Sequence, residues 1–310
     1  MSWQLAEVPD CNDDTQCDPV ALVLTPKAHD IGAFELKRAL PSRRQRMIGP
    51  FIFFDQMGPV VFEGDQAMEV RPHPHIGIST ITWLFEGEIQ HKDSLGYTLN
   101  IKPGEVNWMT AGKGIVHSER SPQSQRGVNA PLGGIQAWVA LPIDKEEIEP
   151  AFYHYTADQI PQFNENGVKI SLIVGEAFGQ VSPVITQSPT LYAEINLEPG
   201  KTFVIPDIAE ERGLYIYEGT LSIAGTTFDE GSMIVLVPGM AVEILATAQT
   251  RLMLLGGKAF TEENEGKRHL YWNFVSSRKE RIEQAKEDWR NGRFDGVDGD
   301  EEFIPLPEDA

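Results

Sequence analysis

The chain contains seven histidines, and three of them fall in two short segments whose spacing suits metal chemistry. The first segment is RPHPHIG, with His73 and His75; the second is GKGIVHSE, with His117 and Glu119. In an extended strand, residues two apart project from the same face, so each segment can form a two-pronged claw. Two such claws on adjacent strands of a barrel could meet at one cation. Three neutral imidazole nitrogens and one carboxylate suit Fe(II), Mn, Ni, Cu or Zn better than Mg or Ca. Pro72 and Pro74 bracket His73 and stiffen the first claw. Gly112 and Gly114 permit the tight turn that returns the second claw to the first. An H-x-H alone is a weak signal, and a lone histidine is more often a surface or core residue; it is the pairing of two claws that carries the reading. His91, in EIQHKDSLG, lies between them and suits a supporting hydrogen bond, a place at the entrance, or an ordinary hairpin position. His29, His154 and His269 lack ligand-like neighbours and are expected to be structural or exposed.

Claws of this kind require strands, and from Ala21 onward the chain reads as strands. Short apolar stretches alternate with Gly, Pro, Asn and Asp turns, as in FIFF (51–54), ISTITWLF (78–85), VNWMTA (106–111) and IQAWVALP (135–142). The texture returns in VKISLIVG (168–175), LYAEINL (191–197), SMIVLVPG (232–239) and RLMLLGG (251–257). It predicts an all-β protein of two antiparallel sandwiches or barrels, with a Pro-, Asp- and Glu-rich connector at 143–161 between them. The expected divisions are a flexible acidic leader (1–20), a β domain carrying the claws (21–145), a second β domain without ligands (146–275), and a helix with an acidic tail (276–310). SSRKERIEQAKEDWRNGRF (276–294) predicts that helix, with Ser276 or Ser277 as N-cap and Gly292 near its stop. Ile282, Ala285 and Trp289 would form its apolar stripe against a barrel, and the tail beyond is expected to be extended.

An internal repeat supports two related domains. Gly87 of FEG matches Gly219 of YEG, Gly104 matches Gly231, Gly112 matches Gly239, and in that register His117 falls on Ile244. Counting back without gaps from the FEG and YEG glycines places His73 on Ile205 and His75 on Asp207. Glu86 and Glu218 occupy matched positions, which favours a role in the fold for both.

Composition narrows the rest. With 26 Lys+Arg against 46 Asp+Glu the formal charge is −20, which repels phosphate backbones and anionic lipid and so disfavours direct nucleic-acid or membrane binding. No apolar run approaches the roughly 20 residues of a membrane helix, and the acidic N-terminus is unlike a secretory leader; a cytoplasmic protein is expected. Cys11 and Cys17 read as exposed thiols on a loose tail, with a redox switch as the sharper alternative. The basic run KRALPSRRQR (37–46) reads as a solvated loop, or as a docking patch for an acidic partner. There is no G-x-S-x-G, no P-loop and no G-x-G-x-x-G opening a helix.

RALPSRRQRMIGPFIFFDQMGP (38–59), RPHPHIGISTITWLFEGEIQHKDSLG (71–96), AGKGIVHSE, GIQAWVALP (134–142) and the NFVSSRKERIEQAKEDWRNGRF end resemble pirins, of the cupin superfamily. The resemblance implies a bicupin, two tandem cupin-type antiparallel β-barrels with a C-terminal helix. It also implies iron in the N-terminal barrel, held by His73, His75, His117 and Glu119. The general cupin pattern would place a Glu shortly after H-x-H, where this chain has Ser79 and Thr80; in pirins the carboxylate comes from the second motif, as Glu119 does. Some pirins are similar to quercetin 2,3-dioxygenases, which open a flavonol with O₂ and release carbon monoxide, so a small aromatic substrate and O₂ are the implied reactants. Glu119 is then also the candidate catalytic base, and Phe53, Phe54, Met57 and Trp108 are candidates for an apolar wall, with core packing the more usual role for most of them. Pirins are also described as non-enzymatic, iron-dependent regulators of transcription factors or metabolic enzymes. That alternative implies a protein-binding surface around the metal mouth, including the 37–46 stretch. A monomer is expected in either case.

Overall fold

The computed structural model describes residues 18–30 and 34–308. Cys11, Cys17 and nearly all of the acidic leader lie outside the described residues. The first barrel is built from β2 (Lys27–Asp30), β3 (Glu35–Leu40), β4 (Phe51–Phe62), β5 (Glu69–His75), β6 (Ile78–Glu86) and β7 (Ile89–Asp93). β8 (Thr98–Ile101), β9 (Val106–Thr110), β10 (Ile115–Arg120), β11 (Ala130–Ala140) and β12 (Ala151–Tyr155) complete it, and β1 (Val20–Leu24) precedes it in the chain. Its two walls are a seven-stranded sheet, ordered β12-β9-β6-β11-β4-β3-β2, and a four-stranded sheet, ordered β5-β10-β7-β8. The second barrel repeats this plan, with a seven-stranded sheet and a four-stranded sheet of Thr202–Ile205, Val242–Ala246, Thr220–Ile223 and Thr226–Asp229. The chain is therefore an all-β bicupin, as its sequence implied.

The barrels exchange their edge strands. β1 pairs with Met233–Leu236 of the second barrel, and β12 pairs with β9 of the first. These are equivalent positions, so each barrel takes one edge strand from the far side of the boundary expected between residues 145 and 146. Covering the edges in this way removes unpaired backbone groups that would otherwise invite aggregation. The two seven-stranded sheets face one another across a shared apolar layer that includes Phe51, Phe54, Trp83, Trp108, Tyr192, Tyr215 and Met253. Trp83 Nε1 donates to Glu194 at 2.9 Å and the Tyr215 hydroxyl donates to Gln56 at 2.6 Å, pinning the two sheets together.

The repeat is visible in the turns. Gly87 and Gly219 have φ of +84° and +87°, and a Cβ at either would meet a backbone carbonyl oxygen, of Pro131 at 2.3 Å or of Gln249 at 2.1 Å. Only glycine serves in both respects. One expected match requires correction. His73 is paired with His117, whereas Ile244, the counterpart of His117, is paired with Phe203; likewise Ile115 pairs with His75, and Val242 with Ile205. His73 and His75 therefore correspond to Phe203 and Ile205, two residues earlier than the ungapped count, because the loop to the FEG and YEG turns differs in length.

The C-terminal helix spans Lys279–Arg290, shorter than expected, and its N-cap is Arg278 with no side-chain capping bond. Ser276 and Ser277 are drawn off by the buried Glu146, which accepts from both hydroxyls and from the Ser277 amide. Ile282 and Ala285 are buried and Trp289 packs beside them, against Ile76 and Phe274, so the stripe lies on the first barrel. Among the described residues no helix is long and apolar enough to cross a membrane.

Candidate metal centre

The ladder between β5 and β10 sets His117 directly opposite His73, and β7 on the other side of β10 sets His91 opposite Glu119. A bulge in the β5–β10 pairing falls between His117 and Glu119. The two claws thus lie on neighbouring strands, as period-two alternation requires. Donor atoms of His73, His75 and His117 come within 4.8 Å of one another, and so do those of His91, His117 and Glu119. All five side chains are buried.

Burial holds the three imidazoles neutral. It lowers His73 to about 4, partly offset by a hydrogen bond with the Arg71 carbonyl. It holds His75 and His117 well below the ordinary range, with the neighbouring imidazoles acting in the same direction. Burial raises Glu119. The Thr82 hydroxyl donates to Gln136 Oε1 at 2.8 Å and lies 3.5 Å from Glu119 Oε1.

The donor set fits a transition metal. His73 Nδ1–H donates to the Arg71 carbonyl at 2.9 Å, which leaves Nε2 as a bare lone pair. His75 Nε2 and His117 Nε2 face each other at 3.1 Å, the separation expected of two nitrogens at right angles about a centre roughly 2.1 Å from each. At His75 a hydrogen bond with the Asn273 backbone opposes the effect of burial. The second barrel shows the contrast. Its matching positions hold Phe203, Ile205, Ile244 and Ala246, all packed in or against one continuous apolar core. In the first barrel the polar cluster separates two smaller apolar groups, one around Ile52 and Trp138 and the other around Phe62 and Leu84.

A cavity of about 310 Å³ opens onto His73, His75, His117 and Glu119. Of the four residues expected to wall it, Phe53 and Met57 line it, but Phe54 and Trp108 do not. Alternation along β4 turns Phe53, Asp55 and Met57 to the cavity and Phe54 to the layer between the barrels, where Trp108 also lies. The larger aromatic wall is Trp138, stacked on Phe53 with centroids 3.9 Å apart and edge-on to His75 at 5.1 Å. Its alternation with Gln136 in IQAWVALP was the available signal. The basic run at 37–46 is not one patch. Arg38 turns to the cavity, forming a two-pronged pair with Asp55 at 2.9 and 2.8 Å over the Phe53 ring. Lys37 reaches Glu230 of the second barrel, and Arg46 donates to the Arg268 carbonyl.

Trp272, Asn273 and Ile304 also line the cavity, and no local pattern marked them. The acidic tail is strapped across β5. The Ile304 amide donates to the Pro72 carbonyl at 2.9 Å, and the Ile304 carbonyl accepts from Trp289 Nε1 at 3.0 Å. Arg120 clasps Asp300, Glu302 and Glu69. Replacing Arg120 with Ala removes two part-exposed ion pairs to the tail, with Asp300 and Glu302, of about 0.5 kcal/mol each, and is expected to loosen the strap. Proteolysis beyond Gly292 and metal removal by a chelator should both accelerate, by roughly fivefold on the same arithmetic, with the circular dichroism of the barrels unchanged.

Two family models match in the order of the two barrels: Pirin over residues 33–139, and the Pirin C-terminal cupin domain over residues 192–295. A pirin-like protein of Caulobacter vibrioides is 48% identical, over 93% of this chain and 100% of its own length. The crystal structure of a quercetin 2,3-dioxygenase from Acinetobacter baumannii superposes with a TM-score of 0.85 at 34% identity, covering 93% of this chain and 95% of that one. A bacterial pirin from Escherichia coli, solved in complex with nickel(II), shares the fold with a TM-score of 0.60 at 19% identity. Since the likeness runs through both barrels and through the strands that bring the histidines together, this chain belongs to the pirin family.

Proposed function

We propose that His73, His75, His117 and Glu119 hold one divalent metal, Fe(II) in the first instance, and that the protein opens a flavonol such as quercetin with O₂. Mn, Ni, Cu and Zn suit the same donors. The observation that carries the reading is the buried three-histidine, one-carboxylate cluster at the base of a cavity walled by Phe53 and Trp138. The Acinetobacter baumannii dioxygenase at 34% identity supports it. We place the protein in the cytosol as a monomer, in keeping with its acidic composition.

A metal held by these side chains supplies positive charge for a deprotonated substrate oxygen and a site for O₂. The protein's own groups do the rest. Phe53 and Trp138 offer an apolar surface to a flat aromatic ring. Glu119, on loosening from the metal, would accept the proton released by the flavonol hydroxyl. Trp272 and Ile304 limit water at the mouth.

The test is anaerobic reconstitution of metal-free protein with Fe(II), addition of quercetin, and then admission of O₂. Loss of flavonol absorbance with release of carbon monoxide is expected, and no O₂-dependent turnover with any of the five metals would overturn the reading. Binding of a protein partner that differs between Fe(II) and Fe(III), without turnover, would favour the regulatory alternative. Glu119→Gln is expected to lower kcat by about 10²-fold or more while metal occupancy falls much less. Parallel loss of both would remove the base role and leave Glu119 as a ligand only.

A further inference from the structure

We propose that Asp93 and His91 form a relay that fixes the tautomer of His117 and thereby its readiness to take a metal; this rests on the metal reading above. Asp93 Oδ1 accepts the amide protons of Leu95 and Tyr97 at 3.0 and 3.1 Å, which leaves Oδ2 to accept His91 Nε2–H at 2.9 Å. In a neutral His91 its Nδ1 is then a lone pair. It lies 3.4 Å from His117 Nδ1, which must carry the proton and donate it. His117 Nε2 is in consequence bare, and it is the atom that faces His75 Nε2 at 3.1 Å.

The relay is enclosed. Asp93 and His91 are 1% and 3% exposed, and the His91 ring lies flat on Phe152 of β12 with centroids 4.4 Å apart. A ligating histidine commonly gives its second N–H to a carboxylate or carbonyl; here a second imidazole stands between the carboxylate and the ligand. The second barrel supplies an independent observation. Asp93 and His91 sit opposite His117 and Glu119, and the same two places opposite Ile244 and Ala246 hold Ile223 and Leu221. Relay and candidate ligands are present together in one barrel and replaced together by apolar residues in the other.

The decisive variant is Asp93→Asn, which is nearly isosteric. The Asn oxygen still serves the Leu95 and Tyr97 amides, so its NH₂ group faces His91 Nε2. His91 must then accept there and carry its proton on Nδ1, His117 must accept at Nδ1, and the His117 proton is forced onto Nε2, where the metal would bind. Mn(II) or Fe(II) affinity, measured by competition with a chromophoric chelator, is expected to fall about 10- to 100-fold. Nitrogen-15 NMR of the metal-free protein should show His117 Nε2 unprotonated in the wild type and protonated in Asp93→Asn. His91→Phe keeps the stack on Phe152 but frees His117 to take either tautomer, so it should weaken binding less than Asp93→Asn.

A wild-type His117 protonated at Nε2 would overturn the relay, and this readout needs neither metal nor a variant that folds. Binding by Asp93→Asn indistinguishable from wild type would overturn it too, as would a larger loss in His91→Phe, which would indicate packing. Wild-type protein that binds none of the metals would overturn the metal reading instead, so the two failures are distinguishable.

Discussion

His117→Ala is expected to abolish metal binding, with occupancy of protein purified without added metal falling to background and affinity falling by more than about 100-fold, beyond the usual cost of an outer-sphere partner. The effect should exceed that of any other single substitution because His117 belongs to both donor groups in the barrel. Its Nε2 faces His75 and its Nδ1 faces His91, so its removal takes away a ligand and the end point of the relay together. O₂-dependent flavonol turnover should be lost in parallel. Metal analysis by mass spectrometry, with His269→Ala as a control that does not line the cavity, checks the prediction. Undiminished occupancy in His117→Ala would mean that the metal sits elsewhere.

Acidification should destabilise the metal-free protein by of order 3 kcal/mol from His73 alone. Its pKa is lowered from 6.5 to about 4 on folding, chiefly by burial, and each unit is worth about 1.4 kcal/mol. Between those values the unfolded chain binds a proton that the folded protein does not, so stability rises with pH across this window. The contribution is complete above about pH 6.5 and is lost progressively as the pH falls towards about 4. His75 and His117, also lowered, act in the same sense. Glu119, raised by burial, acts in the opposite sense, since its folded form holds a proton that the unfolded chain has already released. Urea midpoints of chelator-treated protein at several pH values between 4 and 7.5 should show the slope, and His73→Asn should flatten it. A wild-type profile flat across the window would refute the buried, neutral assignment.

Much of the fold was legible because its signals are local. The apolar stretches marked four strands of each seven-stranded sheet, and Gly87 and Gly219 revealed the repeat because both turns need a positive φ and a missing Cβ. The two claws were legible because period-two alternation decides which side chains share a face whatever the rest of the chain does. The same rule, applied to β4, would have separated Phe53 from Phe54. Trp108 stayed between wall and core for another reason: only the docking of the second barrel decides that it packs in the layer between the barrels. The helix start was misjudged because Ser276 and Ser277 are claimed by Glu146, 130 residues away in sequence.

The sequence by itself determined the chemistry at hand: three imidazoles and a carboxylate on the correct strand faces, in one barrel of a repeated pair. The tertiary structure decided how that chemistry is tuned and enclosed. Trp138 reaches His75 across the barrel, and Arg38 turns inward to Asp55. Ile304 arrives from the C-terminal tail, and β1 and β12 cross over to complete each other's sheets. His91 was ambiguous in sequence and acquires a direction only when Asp93 on one side and His117 on the other fix where its proton lies. Strand periodicity is set by the backbone of a few residues and can be read from them. A tautomer, a cavity wall or a strap is set by atoms that meet only after chain segments far apart in sequence have packed together.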